Sequence, residues 1–135
     1  MYNEEAFKYL ITKESKRSKR SGYSFNILLI YSTDKHGLIV QMDRDEADTV
    51  VSALFRTLRE TDYIGWCHEG RIIGGVLTVL EQDSAPEMSV RIQQRLMDIL
   101  RVEVSVEKIS RLQIRICQHR ALEGVEFGKD VLTVN

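Results

Sequence analysis

Phe25-Asn26-Ile27-Leu28-Leu29-Ile30-Tyr31 is an almost uninterrupted apolar run of strand length. Such a run suits a central strand buried on both faces, and the rest of the chain is read outward from it. Upstream, residues 3–20 carry helical spacing, with Phe7, Leu10 and Ile11 as a short apolar stripe and Ser21-Gly22 as a stop. The end of this helix holds the run Lys13-Glu14-Ser15-Lys16-Arg17-Ser18-Lys19-Arg20, net charge +4. It reads either as a solvated helix end with cations at the negative pole, or as a contact for phosphate or a membrane surface.

Downstream, residues 32–45 form a polar loop around Leu38-Ile39-Val40, a candidate short extra strand. Asp43 or Asp45 can cap the next helix, whose apolar face is Ala47, Val50, Val51, Leu54 and Leu58. Thr61 to Trp66 reads as a strand, His68-Glu69-Gly70 as a turn, and Arg71 to Leu80 as the second arm of a hairpin. Gly74-Gly75 within that arm marks a close helix-on-sheet contact or a bulge. Ser84-Ala85-Pro86-Glu87 has the form of a capping box. The helix it starts runs to about Leu100, with Val90, Ile92, Leu96, Ile99 and Leu100. Leu112, Ile114 and Ile116 alternate with polar residues as a strand with one buried face, and Val131-Leu132 offers a last irregular strand. The order is a leading helix, then βαββαβ. That order closes into an α+β, ferredoxin-like antiparallel sheet covered by helices on one face. The alternative is another α+β sheet that uses Leu38 to Val40 as a true strand.

The chain has 135 residues, 43% hydrophobic and 29% charged, with net charge −1. This is the composition of one soluble globular domain, residues 1–135, and steers it toward neither nucleic acid nor acidic partners. No apolar run has the length of a membrane span, and MYNEEAFKYL lacks the pattern of a signal peptide. A reducing, cytoplasmic compartment is therefore expected, with Cys67 and Cys117 as buried structural thiols.

Glu14, Arg17, Ser18, Arg20 and Ser21 in the first helix resemble the opening helix of GGDEF domains, the bacterial diguanylate cyclases. Leu54-Phe55-Arg56-Thr57-Leu58-Arg59-Glu60-Thr61-Asp62 before a hairpin adds to the likeness, which spans roughly residues 5–118. Its most specific element is Arg59-x-x-Asp62, which in that family binds cyclic di-GMP as an inhibitory or sensing site. The resemblance implies a nucleotide-cyclase-like fold, and the departures imply a degenerate member. Where the family's hairpin turn carries Gly-Gly-Asp-Glu-Phe, this chain has His68-Glu69-Gly70-Arg71-Ile72. Where the family's first strand ends in a magnesium-binding aspartate, this chain has Tyr31, then Ser32 and Thr33. Joining two GTP molecules takes two metal ions, and magnesium asks for hard oxygen ligands in near-octahedral geometry. Tyr31 is no carboxylate, and Asp34 and Glu69 do not make the site.

Other constellations are weaker. Cys67-His68 and Cys117 with His119 are zinc-type pairs, but the fold expected here puts them on opposite sheet edges. Trp66 reads as a hairpin or core anchor, and Asp34-Lys35-His36-Gly37 as turn chemistry. The expectation is a non-enzymatic regulatory domain with no catalytic residues, metal or cofactor, acting through a protein partner or a homo-oligomer. Neither nucleic-acid binding nor membrane insertion is expected. The alternative is a cyclic di-GMP receptor using Arg59 and Asp62, and a third reading is an active nucleotide cyclase with displaced ligands.

Overall fold

The computed structural model describes residues 1–78 and 85–118. The elements are α1 (Glu4–Ser21), β1 (Phe25–Thr33), β2 (Ile39–Val40), α2 (Arg44–Thr57), β3 (Tyr63–His68), β4 (Ile72–Thr78), α3 (Ala85–Glu103), α4 (Val106–Ile109) and β5 (Leu112–Gln118). β1 lies between β4 and β5, antiparallel to both, with Tyr31 opposite Ile72 on one side and Gln113 on the other. β3 extends the sheet beyond β4, so β3 and β5 are opposite edges. The ferredoxin-like order is therefore present, and β1 is central because both of its faces are apolar.

The two faces of β1 bury against different partners. Leu28 and Ile30 share a core with Ile64, Ile73 and Leu77 and with Ala47, Val50 and Leu54 of α2 and Leu96 and Leu100 of α3. Phe25, Ile27, Leu29 and Tyr31 form a second core with Ile72, Val76, Cys67 and Phe7 of α1. α2 and α3 thus cover one face, as expected, and the leading helix covers the other. α1 and α2 start, and α1 stops, where the local chemistry directs. The Asn3 side chain accepts the Ala6 N–H at 2.8 Å, the Asp43 side chain accepts the Glu46 N–H at 2.7 Å, and Gly22 closes α1 with φ 75°.

α1 seats on the sheet through a glycine trough. Gly65 of β3 and Gly74 of β4 are direct cross-strand partners. A Cβ at Gly65 would lie 2.5 Å from Phe7 Cδ1, and one at Gly74 would lie 2.8 Å from Phe7 Cε2 and 2.3 Å from Cys67 Sγ. Gly74 is the close helix-on-sheet contact expected from the sequence, whereas Gly75 faces the other side, under Leu58. Phe7 is fully buried there, a burial that stabilises by about 1.5–3 kcal/mol.

Several sequence expectations need adjusting. Ile39–Val40 is a true strand, paired with Ser32 and Thr33, and it supplements the ferredoxin-like sheet rather than replacing it. His68 ends β3 after an irregularity at Trp66/His68, so the turn begins at Glu69. The second arm of the hairpin begins at Ile72. Val90 is exposed on α3, because the buried stripe of that helix runs through Leu96 and Leu100. α4 is a single turn, capped by the Ser105 side chain, that periodicity does not reveal. Ser84, His119 and the strand proposed at Val131-Leu132 lie outside the described residues.

Gly65→Ala is expected to push against Phe7 and lower stability by about 1–3 kcal/mol in urea denaturation. A Gly65→Ala protein as stable as wild type would refute the trough as the seat of α1.

Candidate functional site

The first candidate is the end of the sheet where β1 finishes beside the β3–β4 turn. Tyr31 is buried in the second core with Ile39 and Ile72, so its side chain is part of the packing. Asp34 forms an Asx-type turn, with its Oδ1 accepting the His36 and Leu38 N–H groups at 2.8 and 3.0 Å. The Leu38 and His36 N–H groups hold the Asp34 carboxyl below its usual value. The turn itself is bound on several sides. The Glu69 N–H donates to Glu4 Oε1 at 2.6 Å, the Gly70 carbonyl accepts the Met42 N–H at 2.8 Å, and Arg71 donates to the Ile39 carbonyl at 3.3 Å. Gly70 has φ 75° and packs against the Gln41 side chain. One backbone donor of the turn that could meet a phosphate, the Glu69 N–H, is thus taken by α1. The residues at this end do not fit a magnesium–nucleotide pair: a buried phenol stands beside one carboxylate used in its own loop and one exposed at the turn.

The second candidate is Arg59 and Asp62, which the structure brings together at the start of β3. The Arg59 Nε lies 3.7 Å from Asp62 Oδ2. The Asp62 carboxylate is 4% exposed. Its Oδ2 accepts the Arg59 N–H at 2.9 Å, and its Oδ1 accepts the Thr78 N–H at 3.3 Å and the Thr78 hydroxyl at 3.4 Å. The Asp62 N–H in turn donates to the Arg59 carbonyl at 3.0 Å, and Arg59 Nη2 donates to the Thr78 carbonyl. Asp62 therefore ties the turn after α2 to the end of β4, while the Arg59 side chain stays 41% exposed.

Arg59 lines a cleft of about 490 Å³ together with Tyr63, Thr78, Glu14, Arg17 and Tyr23. The last three belong to α1 and the segment after it; the sequence shows Glu14 and Arg17 only as members of the basic run of residues 13–20, and does not single out Tyr23. Glu14 is buried: its Oε1 accepts the Tyr23 hydroxyl at 2.6 Å, and Arg17 lies 3.6 Å from Oε2. Burial, and then the Glu14 carboxylate, push the Tyr23 hydroxyl up. A signal was there: the 4-3-4 spacing of Phe7, Ile11, Glu14 and Ser18 carries the inner face of α1 straight through the basic run.

The remaining residues are structural. Cys67 and Cys117 are free thiols on opposite edge strands, the first buried and the second half-buried. Burial pushes the Cys67 thiol far up, which makes it inert at neutral pH. Trp66 packs against the core of the α2/α3 face. No described helix is long and apolar enough to cross a membrane.

No protein-family model and no curated protein matches the sequence. Solved structures do match by fold. The GGDEF domain of TpbB (YfiN) from Pseudomonas aeruginosa has a TM-score of 0.61 at 15% identity, over 90% of this chain and 73% of that one. The diguanylate cyclase SiaD from the same organism, solved in complex with its activator SiaC, has a TM-score of 0.60 at 22% identity, over 87% of this chain and 46% of that one. A microbial GGDEF domain solved for its interaction with cyclic di-GMP has a TM-score of 0.53 at 14% identity, over 86% of this chain and 71% of that one. The chain has the fold of a GGDEF domain, and its α+β sheet and leading helix are those implied by the sequence resemblance.

Two outcomes follow from the hydrogen bonding. Asp62→Ala leaves the Arg59 and Thr78 donors unpaired and is expected to cost about 1–3 kcal/mol, whereas Arg59→Ala should cost no more than about 1 kcal/mol. Equal losses in urea denaturation would contradict Asp62 as the anchor. The Glu4 carboxyl is held below its ordinary value of 4.5, first by the Glu69 N–H and then by Lys8. A depressed folded value gives stability that is present above 4.5 and lost as pH falls through the folded value. Glu4→Gln should therefore lose less stability than wild type between pH 7 and about pH 3.5. Identical losses would exclude this contact from the acid response.

Proposed function

We propose that this chain is a signalling domain of the GGDEF fold that does not condense GTP and that acts by binding a protein partner or a second copy of itself. The observation that carries the reading is the β3–β4 turn, whose Glu69 N–H and Gly70 carbonyl are taken up within the chain, beside a buried Tyr31. Metal-assisted phosphoryl chemistry needs a set of carboxylates converging on magnesium, and at this end Asp34 is used in its own turn, which leaves the exposed Glu69 beside a buried phenol. SiaD, which shares the fold, is solved with its activator protein, and a protein partner is the corresponding role here.

Incubation with GTP and magnesium is expected to yield no cyclic di-GMP above a no-protein blank. Turnover that disappears in Glu69→Ala would overturn the proposal and assign the reaction to the turn carboxylate.

A second reading is favoured by the half-exposed Arg59 on its cleft: a receptor for cyclic di-GMP, the ligand with which one GGDEF structure of this fold was solved. In that reading Arg59 supplies paired donors to a guanine edge or a phosphate. Asp62, whose oxygens have partners within the chain, holds Arg59 in place.

A further inference from the structure

α1 turns opposite faces to the sheet and to solvent. Phe7, Glu14 and Ser18 are buried on the sheet side, and Ile11 packs there with them. The residue two places on from each lies about 200° round the helix axis. Those residues are Tyr9, Lys13, Lys16 and Arg20, and all four are exposed. The packing of the inner stripe therefore fixes the outer ridge. Glu14, the one acid in the run of residues 13–20, is on the inner side, where it accepts the Tyr23 hydroxyl. Folding thus turns a mixed run into a cationic ridge, with Tyr9 one turn ahead of it and 66% exposed.

Helix stability gives no reason for this ridge. Lys19 and Arg20 stand in the last turn, where cations suit the helix dipole, but Lys16 and Lys13 lie one and two turns earlier. Lys13 and Lys16 are i,i+3 neighbours and Lys16 and Arg20 are i,i+4 neighbours, spacings at which like charges oppose the helix. From Lys13 to Arg20 the helix rises about 10 Å, on the order of one Debye length, so these charges act together on a facing surface. The run carries +4 in a chain of net charge −1, which steers this ridge first toward an anionic surface.

We propose that the outer ridge of α1 rests on an anionic membrane surface, with Lys13, Lys16 and Arg20 among the lipid phosphates and the Tyr9 ring at headgroup level. α1 lies along the surface without entering it. Its Phe7 and Ile11 are used against the sheet, and no described helix is long and apolar enough to cross a membrane. A lipid surface suits the ridge better than a nucleic acid does. The ridge is convex, and its aromatic stands at one end, as an amphipathic ring at a membrane interface, and is not interleaved among the cations. α2 and α3 cover the other face of the sheet, so they point away from the membrane and stay open to a protein partner.

The test is flotation of the full chain with vesicles of phosphatidylcholine alone and of phosphatidylcholine with about one-third phosphatidylserine. Wild type is expected to float with the second and not with the first, and to be released as salt rises from about 0.1 M to about 0.5 M. Lys13→Ala, Lys16→Ala and Arg20→Ala should each weaken binding about fivefold. Tyr9→Ala, which changes no charge, should weaken it too. Arg91→Ala makes the same charge change at an exposed position of α3, on the other side of the sheet, and should leave binding unchanged. Equal binding to the two vesicles, or a loss in Arg91→Ala as large as in Lys16→Ala, would overturn the proposal. No wild-type binding to either vesicle would also overturn it, and capture of polyglutamate or a DNA duplex in their place would give the ridge to another polyanion.

Discussion

β1 is apolar along both faces, and each of its neighbours is placed by the need to keep water off it. One face is met by the inward stripes of α2 and α3, whose Leu54, Leu96 and Leu100 are fully buried. The other face is met by α1, a helix with few apolar residues, and the sheet adapts to it: Gly65 and Gly74, side by side in register, open the floor for Phe7. A helix with so small an apolar contribution can cover a sheet face because Phe7 reaches the backbone of two strands and Ile11 packs against the same core.

The same constraint reaches the end of the sheet. Once α1 lies on this face, Glu4 is next to the β3–β4 turn and takes the Glu69 N–H, while the backbone of Tyr2 pairs with the outer edge of β3 through Ile64 and Trp66. Tyr31, at the far end of β1, belongs to the core that α1 helps to form. Packing and hydrogen bonding thus engage Tyr31, the Glu69 N–H and the Gly70 carbonyl in the region where the sequence resemblance would place metal and triphosphate. At the other end of the sheet the opposite holds. There α1 carries charged groups, and Arg17 and Arg59, each beside a buried carboxylate and half in solvent, line a shared cleft.

The elements with clear periodicity were legible from the sequence. β1, α2, α3 and β5 follow from apolar runs and stripes that burial enforces, and the Gly74 contact followed from a glycine in a strand. What escaped was short or non-local. β2, two residues long, was legible only as a candidate strand at Leu38-Ile39-Val40, and α4 is one turn, too short to show a period. Arg59 and Asp62 were legible as a pair, but the role of Asp62 depends on Thr78, sixteen residues away, which only the hairpin brings near. Glu14 was hidden by its neighbours: inside a basic run a glutamate reads as one more solvated charge, although its position on the Phe7 face puts it indoors.

The central claim is that the end of β1 and the β3–β4 turn form no metal–nucleotide site. Paramagnetic broadening tests it most directly, with manganese added to isotope-labelled protein in the presence of GTP. The account predicts no selective loss of the amide signals of residues 31–34 and 69–71. Their selective, saturable broadening on adding both manganese and GTP would contradict it.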